Sequence, residues 1–160
     1  MSFNRAGVKR RIRDIAVHVL ADLDRPVAVT YSFDPTPNDS QMYLGAPEGA
    51  AEIESLGMEP LQVDEFTIPG SLILFGFLDA ESAEEAAEAV LRAFSDVLRS
   101  RGVRRLRGVE GLDDGDTASY AGVRSVQVAS FDGPVAITPT RTGDTVAAAI
   151  DFVLACSTDL

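Results

Sequence analysis

The chain has 160 residues, of which 46% are apolar, so it has enough hydrophobic content for a globular core and too much for a disordered chain. Its 25 acidic and 14 basic side chains leave a formal charge of −11, which argues against general nucleic-acid binding because phosphates would be repelled. Residues 1–160 are read as one domain, without a convincing repeat, low-complexity tract or linker.

The first predicted element is a helix over residues 5–23. Val8, Ile12, Ile15, Ala16, Val19, Leu20 and Leu23 recur at helical spacing and define one apolar face. Arg10, Arg11, Arg13, Asp14 and Asp22 take the other face, and Pro26 ends the helix. Residues 27–33 (VAVTYSF) read as a strand, rich in β-branched and aromatic side chains. A loop with two prolines follows, then a short strand over 41–45 (QMYLG). Residues 50–56 suit two helical turns stopped by Gly57. Residues 61–78 are strand-rich, and Pro69-Gly70 makes them either one bent strand or two strands joined tightly.

A second helix is expected from Ser82, with Ser82 and Glu85 forming a capping box and Glu84 complementing the positive helix end. Its buried stripe is Ala83, Ala87, Val90, Leu91, Phe94 and Leu98, and Gly102 stands at its C-terminal end. Residues 103–109 and 123–131 read as strands around an acidic loop at 110–122, and 135–138 extend the sheet after Gly133-Pro134. Residues 142–154 are assigned to a last helix, with Val146, Ile150, Val153 and Leu154 on one face. The expected fold class is therefore α+β: a mostly antiparallel sheet packed by two main helices, with an additional C-terminal helix.

Little in this order carries chemistry. His18 is the only histidine; Asp14 and Asp22 lie four residues to either side, and a surface histidine with helical ion-pair partners explains that spacing better than acid–base work. No serine or cysteine is tied to it by motif, so no catalytic residue is assigned and no enzyme is expected. Cys156 is the only cysteine, which excludes an internal disulfide and leaves a metal site short of soft ligands. Four carboxylates fall within Glu110-Gly-Leu-Asp-Asp-Gly-Asp, but their spacing is not that of an EF-hand, so a solvated acidic turn is the better reading. Neither a metal nor a cofactor is expected. No leader or membrane-spanning run is seen, which predicts synthesis in the host cytoplasm and no membrane partner. Lys9 is the only lysine; an acid-rich, lysine-poor chain suits a halophilic host, and a GC-rich genome explains the same bias.

Basic residues concentrate in two places, Arg5–Arg13 and a cluster of Arg99, Arg101, Arg104, Arg105 and Arg107. With Asp113, Asp114 and Asp116 the second cluster forms a pair of opposite charge, the candidate interface residues of the chain. They are close enough in sequence that neutralising each other within one copy is the alternative.

The element order and several short motifs resemble the tail terminator proteins of long-tailed phages and archaeal tailed viruses. The motifs are Pro26-Val-Ala-Val-Thr-Tyr31 after an amphipathic helix, Gln41-Met-Tyr-Leu-Gly45, Asp64-Glu-Phe-Thr-Ile-Pro69, and the long helix leading to Gly102-Val103, an acidic loop and the strand at 123–129. The resemblance covers roughly residues 8–131 and leaves out the final helix. It implies a structural virion protein: a hexameric ring at the tail–neck junction that caps the tail tube, contacts tube and neck proteins, and lets DNA pass without specific binding. The adaptor and stopper proteins of the neck are the nearest alternatives. A small regulatory or ligand-binding α+β domain is the alternative outside viruses, on the loose likeness of residues 70–102 to half of a TATA-binding-protein fold; against it, no second copy of that motif is visible.

Overall fold

The computed structural model describes residues 5–21, 27–32, 40–49, 51–56, 59–100, 123–137 and 145–159; of 51–56, 59–63, 99–100, 123–124 and 159 it describes the backbone path only. The elements in chain order are α1 (Arg5–Ala21), β1 (Ala28–Thr30), β2 (Gln41–Leu44), β3 (Ala51–Leu56), β4 (Glu59–Phe77), α2 (Ala80–Ser100), β5 (Val123–Ile137) and β6 (Val146–Asp159).

β4 organises the sheet. Its 19 residues pair along one side with β6 and along the other with β3 and then β2, giving the order β1-β2-β4-β6-β5 with β3 also on β4. β1 and β2 are parallel and every other pair is antiparallel, so the sheet is mixed. Alternation along β4 and β6 sends one set of side chains to the helices: Phe66 opposite Cys156, Ile68 opposite Leu154, Leu72 opposite Ile150 and Leu74 opposite Ala148, all buried. Val8, Ile12, Ile15 and Leu20 of α1 and Ala87, Leu91, Phe94 and Leu98 of α2 close the core from that side.

Pro69-Gly70 fits inside one continuous strand for two separate reasons. The Pro69 carbonyl accepts a bond from the Gly45 N–H at 2.6 Å, just where β2 ends. In a strand the N and O of one residue point the same way, so the missing proline donor faces that ending ladder and costs no bond with β6. Gly70 lies under the ring of Phe152; a Cβ there would collide with the ring and stand 3.0 Å from the Tyr43 carbonyl oxygen. Phe152 in turn meets Phe94 edge-on, with centroids 6.3 Å apart, so a column from Gly70 through Phe152 to Phe94 ties the sheet to α2.

Four sequence expectations are corrected. The α+β arrangement with a mostly antiparallel sheet and three helices gives way to a mixed sheet and, among the described residues, two helices. The assigned C-terminal helix is β6, a central strand in which Ala148, Ile150, Phe152, Leu154, Cys156 and Thr158 are buried at every second position. Short alanine-rich apolar runs satisfy both periods, and here pairing on two sides overrides helix propensity. Residues 51–56 form β3 and not helical turns. Finally, α2 begins at Ala80 and its cap is Asp79: the Ser82 N–H and hydroxyl both donate to the Asp79 carboxylate, at 2.7 and 3.0 Å. The strand expected at 103–109 and the acidic loop at 110–122 lie outside the described residues.

Candidate interaction surfaces

The alternation that buries Phe66 and Ile68 turns Glu65, Thr67, Pro69 and Ser71 to the opposite face, on which no helix packs among the described residues. Register extends these into cross-strand rows. Glu65 lies opposite Ser157 and Ser157 opposite Ser125; Thr67, Ala155 and Gln127 make the next row, and Ser71, Asp151 and Asp132 another. The Ser71 hydroxyl donates to the Asp151 carboxylate. Asp151 and Asp132 are directly opposed and both exposed, an arrangement that water and salt screen. Glu48 joins this face by bridging Thr67 through two backbone bonds, its N–H donating at 2.8 Å and its carbonyl accepting at 2.7 Å. Two shallow hollows mark the face, one walled by Glu48, Glu65, Thr67, Ser125 and Gln127, the other by Tyr43, Ser71, Ser130, Asp132 and Asp151. The lining is hydroxyls, amides, carboxylates and apolar groups, with Phe66 in the first hollow and Phe131 and Phe152 in the second.

The helix side is built differently. Arg5 grips Asp64 with two parallel bonds, Nε–H to Oδ2 at 2.7 Å and Nη2–H to Oδ1 at 2.6 Å; Nη2 also donates to the Gly49 carbonyl at 2.9 Å. Its guanidinium stands 5.0 Å from the centre of the Phe66 ring. The hydrogen bonds from Arg5 hold the Asp64 carboxyl below its ordinary range, and the same pair raises Arg5. This fork fixes the start of α1 to β4 and to the segment before β3. Lys9, one turn on, is buried with its ammonium 3.9 Å from the Tyr31 ring centre, and burial pushes its pKa down. Arg11, expected on the solvent face, is buried as well.

The residues picked out by sequence fare unevenly. The side chain of Arg99 and the whole of Arg101, Arg104, Arg105, Arg107, Asp113, Asp114 and Asp116 lie outside the described residues. His18 is half-buried, and its neighbour Asp14 accepts from Arg13 at 2.9 and 3.2 Å; Asp22 is outside the described residues. Cys156 sits in the core, where burial pushes its thiol up to about 12. Among the described residues no group of histidine, cysteine or carboxylate side chains is arranged to hold a metal ion. The Arg5–Asp64 fork and the acidic sheet face are features that sequence reasoning missed. Strand alternation was the available signal for the second, since Glu65, Thr67 and Pro69 alternate with Phe66 and Ile68. The first joins residues 59 positions apart and has no local signature.

No protein-family model matches the chain, and a comparison with curated proteins gives no match. Among solved structures it is similar to a chain described as "Virion of native gene transfer agent (GTA) particle", with 19% identity and a TM-score of 0.43, over 96% of this chain and 92% of that one.

Proposed function

We propose that the protein is a structural virion component of the tail-terminator kind. Copies close the end of the tail tube as a ring of about six and join tail to neck, and DNA passes through the ring. The residue motifs within residues 8–131 support this reading. The observation that carries it is the make-up of the outer sheet face. That face carries Glu48, Glu65, Asp132 and Asp151, and among the side chains described it carries no cation. A face of that composition lining the passage offers phosphates nothing to bind, so the DNA is not retained as it moves. Tail-tube protein and neck proteins are the other partners, and the role calls for no catalytic step.

A reconstruction of the intact particle tests this reading. Density for the chain as a ring between tube and neck, with the outer sheet face toward the channel, is the expected result. A position elsewhere in the particle, or absence from it, overturns the assignment.

A further inference from the structure

The outer face of the sheet changes character along the strands. From the row of Glu65 to the row of Ser71, every row carries a hydroxyl, an amide or a carboxylate, and Asp151 and Asp132 are opposed in the last of them. Two residues further on, Ile73 lies opposite Ala149 and Ala149 opposite Val135; in the row beyond, Ala147 lies opposite Ile137. Among the described residues these two rows hold no charge, and Gln41, which ends the first of them on β2, is buried. Val135 and Ile137 are 59% and 44% exposed. Both are β-branched and held in a paired strand, so a partner that covers them takes away little side-chain freedom.

The adjoining carboxylate row sets a second condition. In the free protein water and salt screen Asp132 from Asp151. The Ser71 hydroxyl donates to Asp151, and no cation among the described side chains pairs with either carboxylate. A partner laid over Val135 excludes water from one side of this pair. Two like charges stripped of water repel more strongly, so the partner has to bring a cation to that row.

We infer that the Val135–Ile137 end of the outer face docks an extended segment of another protein, one that carries two aliphatic side chains and then an arginine or lysine at every second position. Successive rows on one face of a sheet are about 6.6 Å apart. A strand-like segment running along β5 therefore sets its first two side chains on the apolar rows and its cation on the carboxylates. A second copy does not supply this segment from a described strand. Only β5 contains a cation, Arg124, and its alternate neighbours Val126 and Val128 pack toward the helices. Under the ring reading the outer face looks into the channel, so the partner is the protein stacked next along the axis. That placement rests on the ring reading; the chemistry of the segment does not.

Two short peptides test the docking. One is Gly-Ile-Thr-Val-Thr-Arg-Gly, acetylated and amidated at its ends, and the other has glutamate in place of arginine. Each is titrated into the isotope-labelled full chain and followed by NMR. The expected shifts fall at Ile73, Val135, Ile137 and Ala149. The arginine peptide should bind roughly tenfold more tightly than the glutamate peptide at about 0.05 M salt, and the ratio should shrink toward about 0.5 M. Val135→Thr with Ile137→Thr keeps two strand-forming side chains and should remove binding of both peptides. Asp132→Asn with Asp151→Asn should keep binding and remove the preference for arginine. A spectrum unchanged away from the substitutions shows that each variant folds. Equal binding of the two peptides, shifts centred on the Glu65 end, or no shift at millimolar peptide overturns the docking. Shifts on concentrating the protein alone overturn it as well, because a second copy is then the occupant. A ring at the tail–neck junction together with no peptide binding keeps the function and rejects this surface; arginine-selective binding with the chain elsewhere in the particle does the reverse.

Discussion

The two helices lie side by side on one face of the sheet, yet they hold to it by different means. α2 divides cleanly: Ala83, Ala87, Leu91, Phe94 and Leu98 face the sheet, and Glu81, Glu85, Arg92 and Asp96 are exposed. α1 buries Val8, Ile12, Ile15 and Leu20, but it buries Lys9 and Arg11 beside them. Long cationic side chains contribute methylene packing while their charged ends find an aromatic face or an acceptor, so a sequence reading that sorts residues only as apolar or charged misplaces them. The starts differ too. α2 begins on its own local cap at Asp79, and α1 has no acidic residue in its first turn and is pinned from a distance by Asp64. The start of α2 is capped within its own sequence; the start of α1 is held by the sheet.

The largest test of this contrast lies under α2. Phe94→Ala or Phe152→Ala should each cost about 3–5 kcal/mol, because each empties part of the Gly70–Phe152–Phe94 column. The two rings touch, so the double variant should cost less than the sum, with a coupling of roughly 0.5–1.5 kcal/mol. Denaturant unfolding reads both. Strict additivity would show that the rings pack independently and that α2 is held elsewhere.

Next comes the anchor of α1. Asp64→Asn keeps the shape and removes the charge that Arg5 grips; the expected cost is roughly 1–3 kcal/mol, toward the low end because the guanidinium is partly exposed. The pH dependence has a definite sign. The folded carboxyl titrates below its unfolded value of about 3.9, so its contribution is complete above that value and is lost as pH falls through the folded one. Wild type and variant should therefore converge in strong acid. A gap that persists there would mean that the loss is one of packing and not of charge.

Smaller still is the effect of the buried lysine. The folded pKa of Lys9 lies below its unfolded value of about 10.4, so the unfolded chain binds more protons between the two. Charged Lys9 therefore costs stability at neutral pH, and that cost is relieved as pH rises through the folded value toward the unfolded one. Lys9→Met fills similar volume, should change stability at pH 7 by no more than about 1 kcal/mol, and should lack the alkaline rise. An identical pH profile in the variant would place the ammonium in water.

The same contrast explains what was legible in the chain before its structure. The stripe of α2 was readable, because a helical period sustained over 21 residues has few competitors. The start of α2 was misplaced by one turn, because Ser82 is itself a good cap and its role as donor to Asp79 shows only in three dimensions. β6 was misread because residues 146–154 satisfy both periods; the deciding residues lie further on, where Cys156 and Thr158 continue the strand alternation and the helical face does not. The outer face of the sheet was legible only by implication, since which side of β4 the helices cover depends on partners far away in sequence. The Arg99–Arg107 and Asp113–Asp116 groups, chosen by charge alone, lie outside the described residues apart from the backbone of Arg99.

The cap of α2 gives the smallest and most local prediction. Asp79 is fully exposed, and its carboxyl is held below its ordinary range chiefly by the backbone N–H of Ser82, then by the Ser82 hydroxyl. Asp79→Ala should leave the first amides of α2 without a side-chain acceptor, while the Asp79 carbonyl still takes the Ala83 N–H at 3.2 Å. The expected result is faster hydrogen exchange at Ser82 and in the first turn, little change beyond Leu91, and a slight fall in thermal midpoint. Asp79→Asn keeps an acceptor and should recover most of the protection. Lowering pH through the folded value should abolish the wild-type advantage, because the protonated carboxyl is the weaker acceptor. Fraying that spread along the whole of α2 would show that its start, like that of α1, is supported by the sheet and not by its own sequence; unchanged exchange at Ser82 would show that the cap does no local holding.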